Sequence, residues 1–298
     1  MRIGFTLPQM GALAHQAHDI GRFAKEAEAL GADSLWIGDR ILAPVEPTVG
    51  YAGGDEIPDV FRTVLDPFAV MAVAAAATER AEIGANVLQA PCYAPALLAR
   101  SLTSIDLISQ GRLLPGFGIG WSPEEYQAAG VPMQERGARL DETLDALEAW
   151  WSTDPVEFEG THTRIPATHV GLKPARRPRP PIHLAGYAPA ALRRVARRAD
   201  GWLPVARSGS EPFVADAVNA PVAEVRRLAS EAGRDPSEIG LILRVSPAPG
   251  ATVDEVVETI SGAGRETDVD HCFVELMNIA QDVDHALELV RKVLDTAR

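Results

Sequence analysis

The segment Pro181–Pro204, PIHLAGYAPAALRRVARRADGWLP, decides the fold. Ile182–Ala185 is a short apolar run that reads as a strand, and it ends in a Gly186-Tyr187 turn. Ala188–Ala199 follows as a helix, and Gly201–Val205 as the next strand. Strand, helix and strand in succession imply a parallel sheet. The same rhythm continues toward the C-terminus. Helices Val214–Ala232, Val253–Gly264 and Val283–Ala297 alternate with strands Gly240–Val245 and His271–Met277.

Toward the N-terminus the alternation continues through strands Arg112–Phe117, Ala81–Leu88, Ser34–Ile37 and Arg2–Thr6. Between them lie helices Pro95–Ser109, a segment to about Thr78 opened by Asp66-Pro67, and His15–Leu30. Asp66 reads as an N-cap with proline at the first helical position, and Gly31 as a C-terminal stop. Helix Arg136–Trp151 carries an apolar stripe of Leu140, Leu144, Leu147 and Trp151. Eight strands and eight main helices predict a (β/α)8 TIM barrel. An open doubly wound sheet is the other architecture with this alternation. The count closes at eight and no compositional shift divides the chain, so one barrel domain over residues 1–298 is expected. Two stretches interrupt the rhythm and read as insertions. Leu42–Pro58, rich in Pro and Gly, follows strand 2, and Pro155–Pro181, with VEFEG and KPARRPRPP, lies between strands 4 and 5.

Composition narrows the function classes. The chain has 298 residues, 46% of them apolar, and a net charge of −13 from 28 basic and 41 acidic residues. That excludes wholesale disorder and argues against nucleic-acid binding, because an acidic surface repels phosphate. No apolar run approaches a bilayer span, and the MRIGFTLPQMG start lacks signal-peptide anatomy. Two cysteines, Cys92 and Cys272, make no disulfide framework, so a cytoplasmic location is expected. Arg outnumbers Lys by 25 to 3, which fits GC-rich coding.

Barrel active sites lie at the C-terminal ends of strands. Those ends carry Leu7-Pro8-Gln9, Gly38-Asp39-Arg40, Asn86-Val87-Leu88, the run Gly116–Trp121 (GFGIGW), Ala185-Gly186-Tyr187, Pro204–Arg207, Arg244 with Ser246, and Glu275 with Met277. A Gly186 turn entering a helix offers free N–H groups at a positive dipole end, which suits phosphate; equally, glycine there only lets the chain turn. GFGIGW matches neither a Walker A loop nor a dinucleotide fingerprint. Its glycines either remove bulk or admit a flat ring. The seven histidines form no HExxH pattern, and His15 with His18 reads as a solvated first turn, so no metal site is expected. Each cysteine reads as a small apolar residue. Asp39 and Glu275 are the acids available to a hydrolase, although Glu275 is also placed to pair with Arg244.

The segments IGFTLP (3–8), AEALGADSLWIGD (27–39), LDPFAVMAVAAAATERAEIGANVL (65–88), RLLPGFGIG (112–120), FEG (158–160) and Pro181–Pro204, in this order, resemble the luciferase-like flavin and deazaflavin oxidoreductases, particularly the coenzyme F420-dependent branch. The resemblance implies a (β/α)8 barrel with FMN or F420 over strand 3. It implies a non-proline cis peptide at Asn86–Val87 beneath the ring. It places cofactor phosphate at Gly118, Ile119 and Gly120 and at Ala185, Gly186 and Tyr187. Relatives often carry Asp-His after strand 2; here the pair is Asp39-Arg40. Arg is no base near neutral pH, but it binds anions or stabilises developing negative charge. Trp121 stands where the sugar-phosphate branch has an acid. Both departures argue against sugar-phosphate oxidation.

The expectation is an F420-dependent oxidoreductase that moves a hydride between C5 and a small organic substrate. Asp39 and Arg40 are its candidate catalytic residues, and Asn86 lies near the reacting face. A homodimer is implied by the resemblance. An FMN-dependent monooxygenase, a non-catalytic flavin-binding protein and a barrel hydrolase are the alternatives.

Overall fold

The computed structural model describes residues 1–298. Eight parallel barrel strands close into a ring. The first is Arg2–Thr6 and the second Ser34–Ile37. The third is Glu82–Ala85 continued by Leu88–Gln89, and the fourth Leu113–Leu114 continued by Gly116–Gly118. The fifth is His183–Leu184, and the sixth Gly201–Trp202 continued by Val205–Ser208. The seventh is Gly240–Pro247 and the eighth His271–Val274. Each strand pairs with the next, and the eighth returns to the first through Arg2 opposite His271. Closure leaves no free sheet edge.

Three barrel strands are shorter or more broken than their sequence suggests. Pro115 and Pro204 stand at the breaks of the fourth and sixth, where proline has no N–H to give the ladder. The third is interrupted at Asn86–Val87, a pair joined by a non-proline cis peptide. The first helical segment also differs. Gly11–Asp19 is a 3-10 stretch, and the α-helix proper is Ile20–Leu30. The turn breaks at Gln16, whose side chain leaves the helix to accept from Val283 N at 2.7 Å. Gly31 stops the α-helix at φ +109°, and Asp66 caps helix Pro67–Ala77 by accepting from Ala69 N at 2.8 Å. The second insertion is an antiparallel hairpin, Val156–Glu159 with Arg164–Thr168, packed on helix Arg136–Ser152 through Ala146, Val156 and Ile165. No helix is long and apolar enough to cross a membrane.

Alternation along the strands sorts side chains into two cores. One set faces the helices. The other fills the barrel: Trp36, Leu114, Leu203, Ile242 and Phe273 form its middle layer. Trp36 stacks on Phe273 with ring centroids 4.4 Å apart. Gly84 makes room for that indole, since a Cβ there would enter the ring. Burying each such side chain contributes about 1.5–3 kcal/mol. The layer seals the barrel, so any ligand space lies above it.

Candidate active site

A cavity of about 420 Å³ opens at the C-terminal mouth. Residues Thr6, Gly38, Asn86, Ala185, Val205, Arg244 and Glu275 bring every barrel strand except the fourth to its wall, and Gly120 supplies the loop after the fourth. Of the ten sequence-expected site residues, Asp39, Arg40, Asn86, Val87, Gly120, Ala185, Gly186 and Tyr187 line it. Gly118 and Ile119 do not. Gly118 packs against Val87, and the Ile119 carbonyl accepts from Tyr126 Oη.

Asp39 is buried and tied to the strand beside it. Its Oδ2 accepts from Gln89 N at 2.9 Å, and both its oxygens accept from Tyr93 Oη at 2.9 and 3.0 Å. Burial raises its pKa to about 6, against the lowering effect of those donors. Gln9, at the end of the first strand, braces its neighbour: its amide exchanges 2.9 Å bonds with both the N–H and the C=O of Gly38.

Arg40 is nearly enclosed, its side chain 5% exposed. Its guanidinium carbon lies 4.4 Å from the Trp121 ring centroid and 5.1 Å from that of Phe61. Nη2 donates to Leu42 O at 3.1 Å, and Nε sits at ion-pair distance, 3.2 Å, from Glu125 Oε1. Burial lowers the Arg40 pKa, with Glu125 as the chief opposing charge. A guanidinium stays charged even so.

Glu125 is the residue that sequence reasoning missed. It sits on a helix of six residues, Pro123–Ala128, and is fully buried. Its Oε1 accepts from Ile41 N at 2.7 Å and its Oε2 from Gln89 Nε2 at 3.0 Å. Neighbouring Glu124 accepts from Thr48 N at 2.8 Å, which helps hold its pKa down near 2. The short helix thus holds the Leu42–Pro58 insertion at Thr48 and at Ile41, the residue just before it. Its signal was present: Ser122-Pro123-Glu124-Glu125 carries proline at the first helical position and acids in the first turn.

From the insertion, Tyr51 reaches across the mouth. Its ring lies 5.6 Å from Trp121 and 4.9 Å from Phe61, and its hydroxyl accepts from Arg244 Nη2 at 3.3 Å. Arg244 pairs with Glu275 at 2.8 Å, the pairing expected from adjacent strands. Glu275 is thus engaged with Arg244, and Asp39 with Tyr93 and Gln89, so the two carboxylates have different settings.

The Gly186 turn has the geometry its sequence suggests. Gly186 adopts φ +126°, and helix Pro189–Arg198 starts just beyond it. Its carbonyl accepts from Trp202 Nε1 at 3.1 Å, and Tyr187 Oη accepts from Val205 N at 2.7 Å. The N–H groups of Gly186, Tyr187 and Ala188 donate to no protein acceptor. Away from this mouth the other candidates stay quiet. His15 and His18 are not buried, Cys272 is buried, and no His, Cys, Asp or Glu cluster has metal-ligating geometry.

A closed parallel barrel with a cavity at its C-terminal mouth, mostly apolar but edged by buried charged groups, is the architecture of a barrel enzyme. Comparison sets the family. The family model for luciferase-like monooxygenases matches residues 1–288, and the chain belongs to that family. It is 37% identical over 240 residues to an uncharacterized protein of Mycobacterium tuberculosis, covering 78% of each chain. Its fold matches a monooxygenase from Streptomyces bottropensis at TM-score 0.78, with 22% identity and coverage of 99% and 98% of the two chains. It also matches an F420-dependent secondary alcohol dehydrogenase, solved with an F420–acetone adduct, at TM-score 0.74, with 17% identity and coverage of 100% and 99%. Members of the family are oxidoreductases and monooxygenases, and the similar proteins include F420-dependent dehydrogenases and FMN-bound enzymes.

Proposed function

We propose that this protein is an F420-dependent oxidoreductase acting on a small organic substrate. One observation carries the reading. Ten buried side-chain polar atoms in the chain lack a hydrogen-bond partner, and six of them belong to Arg40, Asn86, Gln89, Arg244 and Glu275, all on this one cavity. Native interiors rarely leave such atoms unmet, so their convergence marks a site built for the polar edge of a ligand. A tricyclic heterocycle with carbonyl and N–H groups on its rim fits donors at Asn86 Nδ2 and an acceptor at Gln89 Oε1.

Asn86 and Val87 would lie beneath the ring, and the free N–H groups of Gly186, Tyr187 and Ala188 would take the phosphate. Gly120 keeps its wall open, since a Cβ there would collide with Gln89 Oε1. When bound, F420 supplies hydride exchange at C5. Asp39, with a pKa of about 6, holds or releases a proton near neutrality beside the reacting face. Trp121, Phe61 and Tyr51 cover the site and keep water out. The resemblance to the F420 branch and the Arg-over-Lys composition favour the deazaflavin over FMN.

The FMN-dependent monooxygenase is the second reading, favoured by the fold likeness to the Streptomyces enzyme. Fluorescence titration of the cofactor-free protein with F420 and, separately, FMN decides between them. Tight, saturable F420 binding with weak FMN binding is expected. The reverse order moves the assignment to the monooxygenase, and binding of neither removes the cofactor reading altogether.

A further inference from the structure

Resting on that reading, we propose that the substrate is an organic acid whose carboxylate docks at Arg207, in a second recess beside the mouth and several atoms away from its reacting carbon. That recess, of about 650 Å³, lies at the ends of the sixth and seventh strands. It meets the mouth cavity along Tyr51, Tyr187, Val205 and Arg244, which line both spaces. Strand pairing explains the join. Leu203 and Ile242 belong to the layer that seals the barrel. Two residues beyond them Val205 stands opposite Arg244, and two further on Arg207 stands opposite Ser246. Residues two apart on a strand face the same side, so Arg207 and Ser246 continue the inward wall above Val205 and Arg244, after a rise of about 7 Å. A ligand that starts in the mouth and climbs this wall arrives at Arg207.

The charge of the recess selects what arrives. Its wall carries Arg207 and Arg244 with Ser210, Ser246 and Asn278, and no Asp or Glu, although the chain has a net charge of −13. The neighbouring recess at Gly209–Phe213 has the opposite sign, with Glu211, Glu255 and Glu258 and no cation. Arg244 is already balanced by Glu275 at 2.8 Å. Arg207 is exposed, and no acid shares its wall. One uncompensated cation matches one negative charge. A carboxylate is met in full, through the paired N–H donors of the guanidinium, whereas a doubly charged phosphate would keep one charge unmet. The mostly apolar mouth then takes the carbon chain. The tail of F420 also carries carboxylates. Tyr187, whose hydroxyl accepts from Val205 N at 2.7 Å, stands between the Gly186 turn and the recess, which leaves the recess to the substrate.

Calorimetric titration of cofactor-free and F420-loaded protein with butanoate, hexanoate and octanoate, each beside its methyl ester, tests this. Octanoate is expected to bind about tenfold more tightly than methyl octanoate. It should also bind more tightly than butanoate, which is too short to reach from the recess into the mouth. Arg207→Gln is expected to abolish the preference for acid over ester, and Arg207→Lys to keep part of it. Arg207→Glu should prefer octylamine to octanoate, a gain that structural damage does not produce. Titration of Arg207→Gln with F420, and with the deazaflavin riboside that lacks the tail, separates the two sources of carboxylate. Unchanged affinity for both is expected; a loss for F420 alone gives the recess to the cofactor tail and overturns the proposal. Equal binding of acid and ester by wild type, or an acid preference that survives in Arg207→Gln, overturns it as well. F420 binding without any acid preference would sink this inference and leave the F420 assignment standing. An Arg207-dependent acid preference in a protein that binds no F420 would do the reverse.

Discussion

At the N-terminal end of the barrel the interior holds Ser34, His183 and His271, each the first residue of its strand. Ser34 Oγ lies 2.7 Å from His271 Nε2 and accepts from Trp36 Nε1 at 2.7 Å, which ties this pair to the apolar layer above, while His183 Nδ1 and His271 Nδ1 are buried without a partner. At the C-terminal end the interior holds Asp39 and two ion pairs, Arg40 with Glu125 and Arg244 with Glu275, bordered by unpartnered atoms. The base uses residues that become neutral when buried. The mouth keeps its charges and cancels them locally. A buried histidine can shed its proton to suit an apolar setting, whereas a guanidinium cannot and must be given a carboxylate. The Trp36–Phe273 layer lies between these two polar regions.

Titration opposes the two ends most strongly. Burial depresses His271 from 6.5 to about 3, so its contribution is fully present above pH 6.5 and lost as pH falls toward 3. At about 1.4 kcal/mol per pH decade the whole loss is about 5 kcal/mol. Urea denaturation between pH 7 and pH 4 is expected to show that acid limb, and His271→Gln to flatten it in part, since burial also depresses His183 at this end, to about 4. An equal slope in the variant would mean that His271 does not carry the acid sensitivity.

Single substitutions are expected to cost the same in the middle layer and at the mouth, for different reasons. Trp36→Ala opens a hole in the middle layer, and Glu125→Ala strands the Arg40 charge; each costs about 3–5 kcal/mol. The rescues should differ. Added indole is expected to restore part of the Trp36→Ala loss, and Arg40→Met part of the Glu125→Ala loss. Cross-rescue in thermal unfolding would erase the distinction drawn here.

Much of this was legible in the residues. Strand–helix alternation is a local property of each unit, so the eight-fold count and the barrel followed from sequence. The Asp66 cap and the Gly31 stop were equally local. The Arg244–Glu275 pair was legible because neighbouring parallel strands put their ends side by side. Breaks at Pro115 and Pro204 were not foreseen, although the missing N–H was in plain view. Glu125 escaped because its partner Arg40 lies 85 positions away, and only the path of the Leu42–Pro58 insertion brings them together. The resemblance puts Gly118 and Ile119 at the phosphate; here Gly118 pairs with Gln89 in the neighbouring strand, and the Ile119 carbonyl accepts from the Tyr126 hydroxyl.

At the mouth the pH slope is expected to reverse. Asp39 is raised from 3.8 to about 6, so its relative stabilisation is full below pH 3.8 and lost as pH rises through 6. By pH 8 the loss is about 3 kcal/mol, and Asp39→Asn should remove it. Denaturation of the variant at pH 5 and pH 8 checks the sign. A wild type that gains stability over that interval relative to Asp39→Asn would refute it. Gly186→Ala is expected to act less on stability, at about 1–3 kcal/mol for its φ of +126°, and more on cofactor affinity. Its Cβ would press on Ala191 Cβ at 2.7 Å and shift the turn that carries the free N–H groups. Unchanged F420 affinity in that variant would remove the phosphate from this turn.

The smallest effect is expected outside both ends. Asp66→Ala deletes a single cap bond, to Ala69 N, at the start of helix Pro67–Ala77. Such a loss costs about 1 kcal/mol. The site is linked to this corner through two bonds, Gln9 Nε2 to Leu65 O at 2.9 Å and Leu65 N to Gln9 O at 3.1 Å, while two further bonds hold Gln9 to Gly38. Fraying the helix by a turn therefore leaves both Gln9–Gly38 bonds in place. Unfolding and F420 titration of Asp66→Ala should give a lower melting point with unchanged affinity. A drop in affinity equal to the drop in stability would show that the frame and the mouth move as one body, and that the layer between them does not insulate the site.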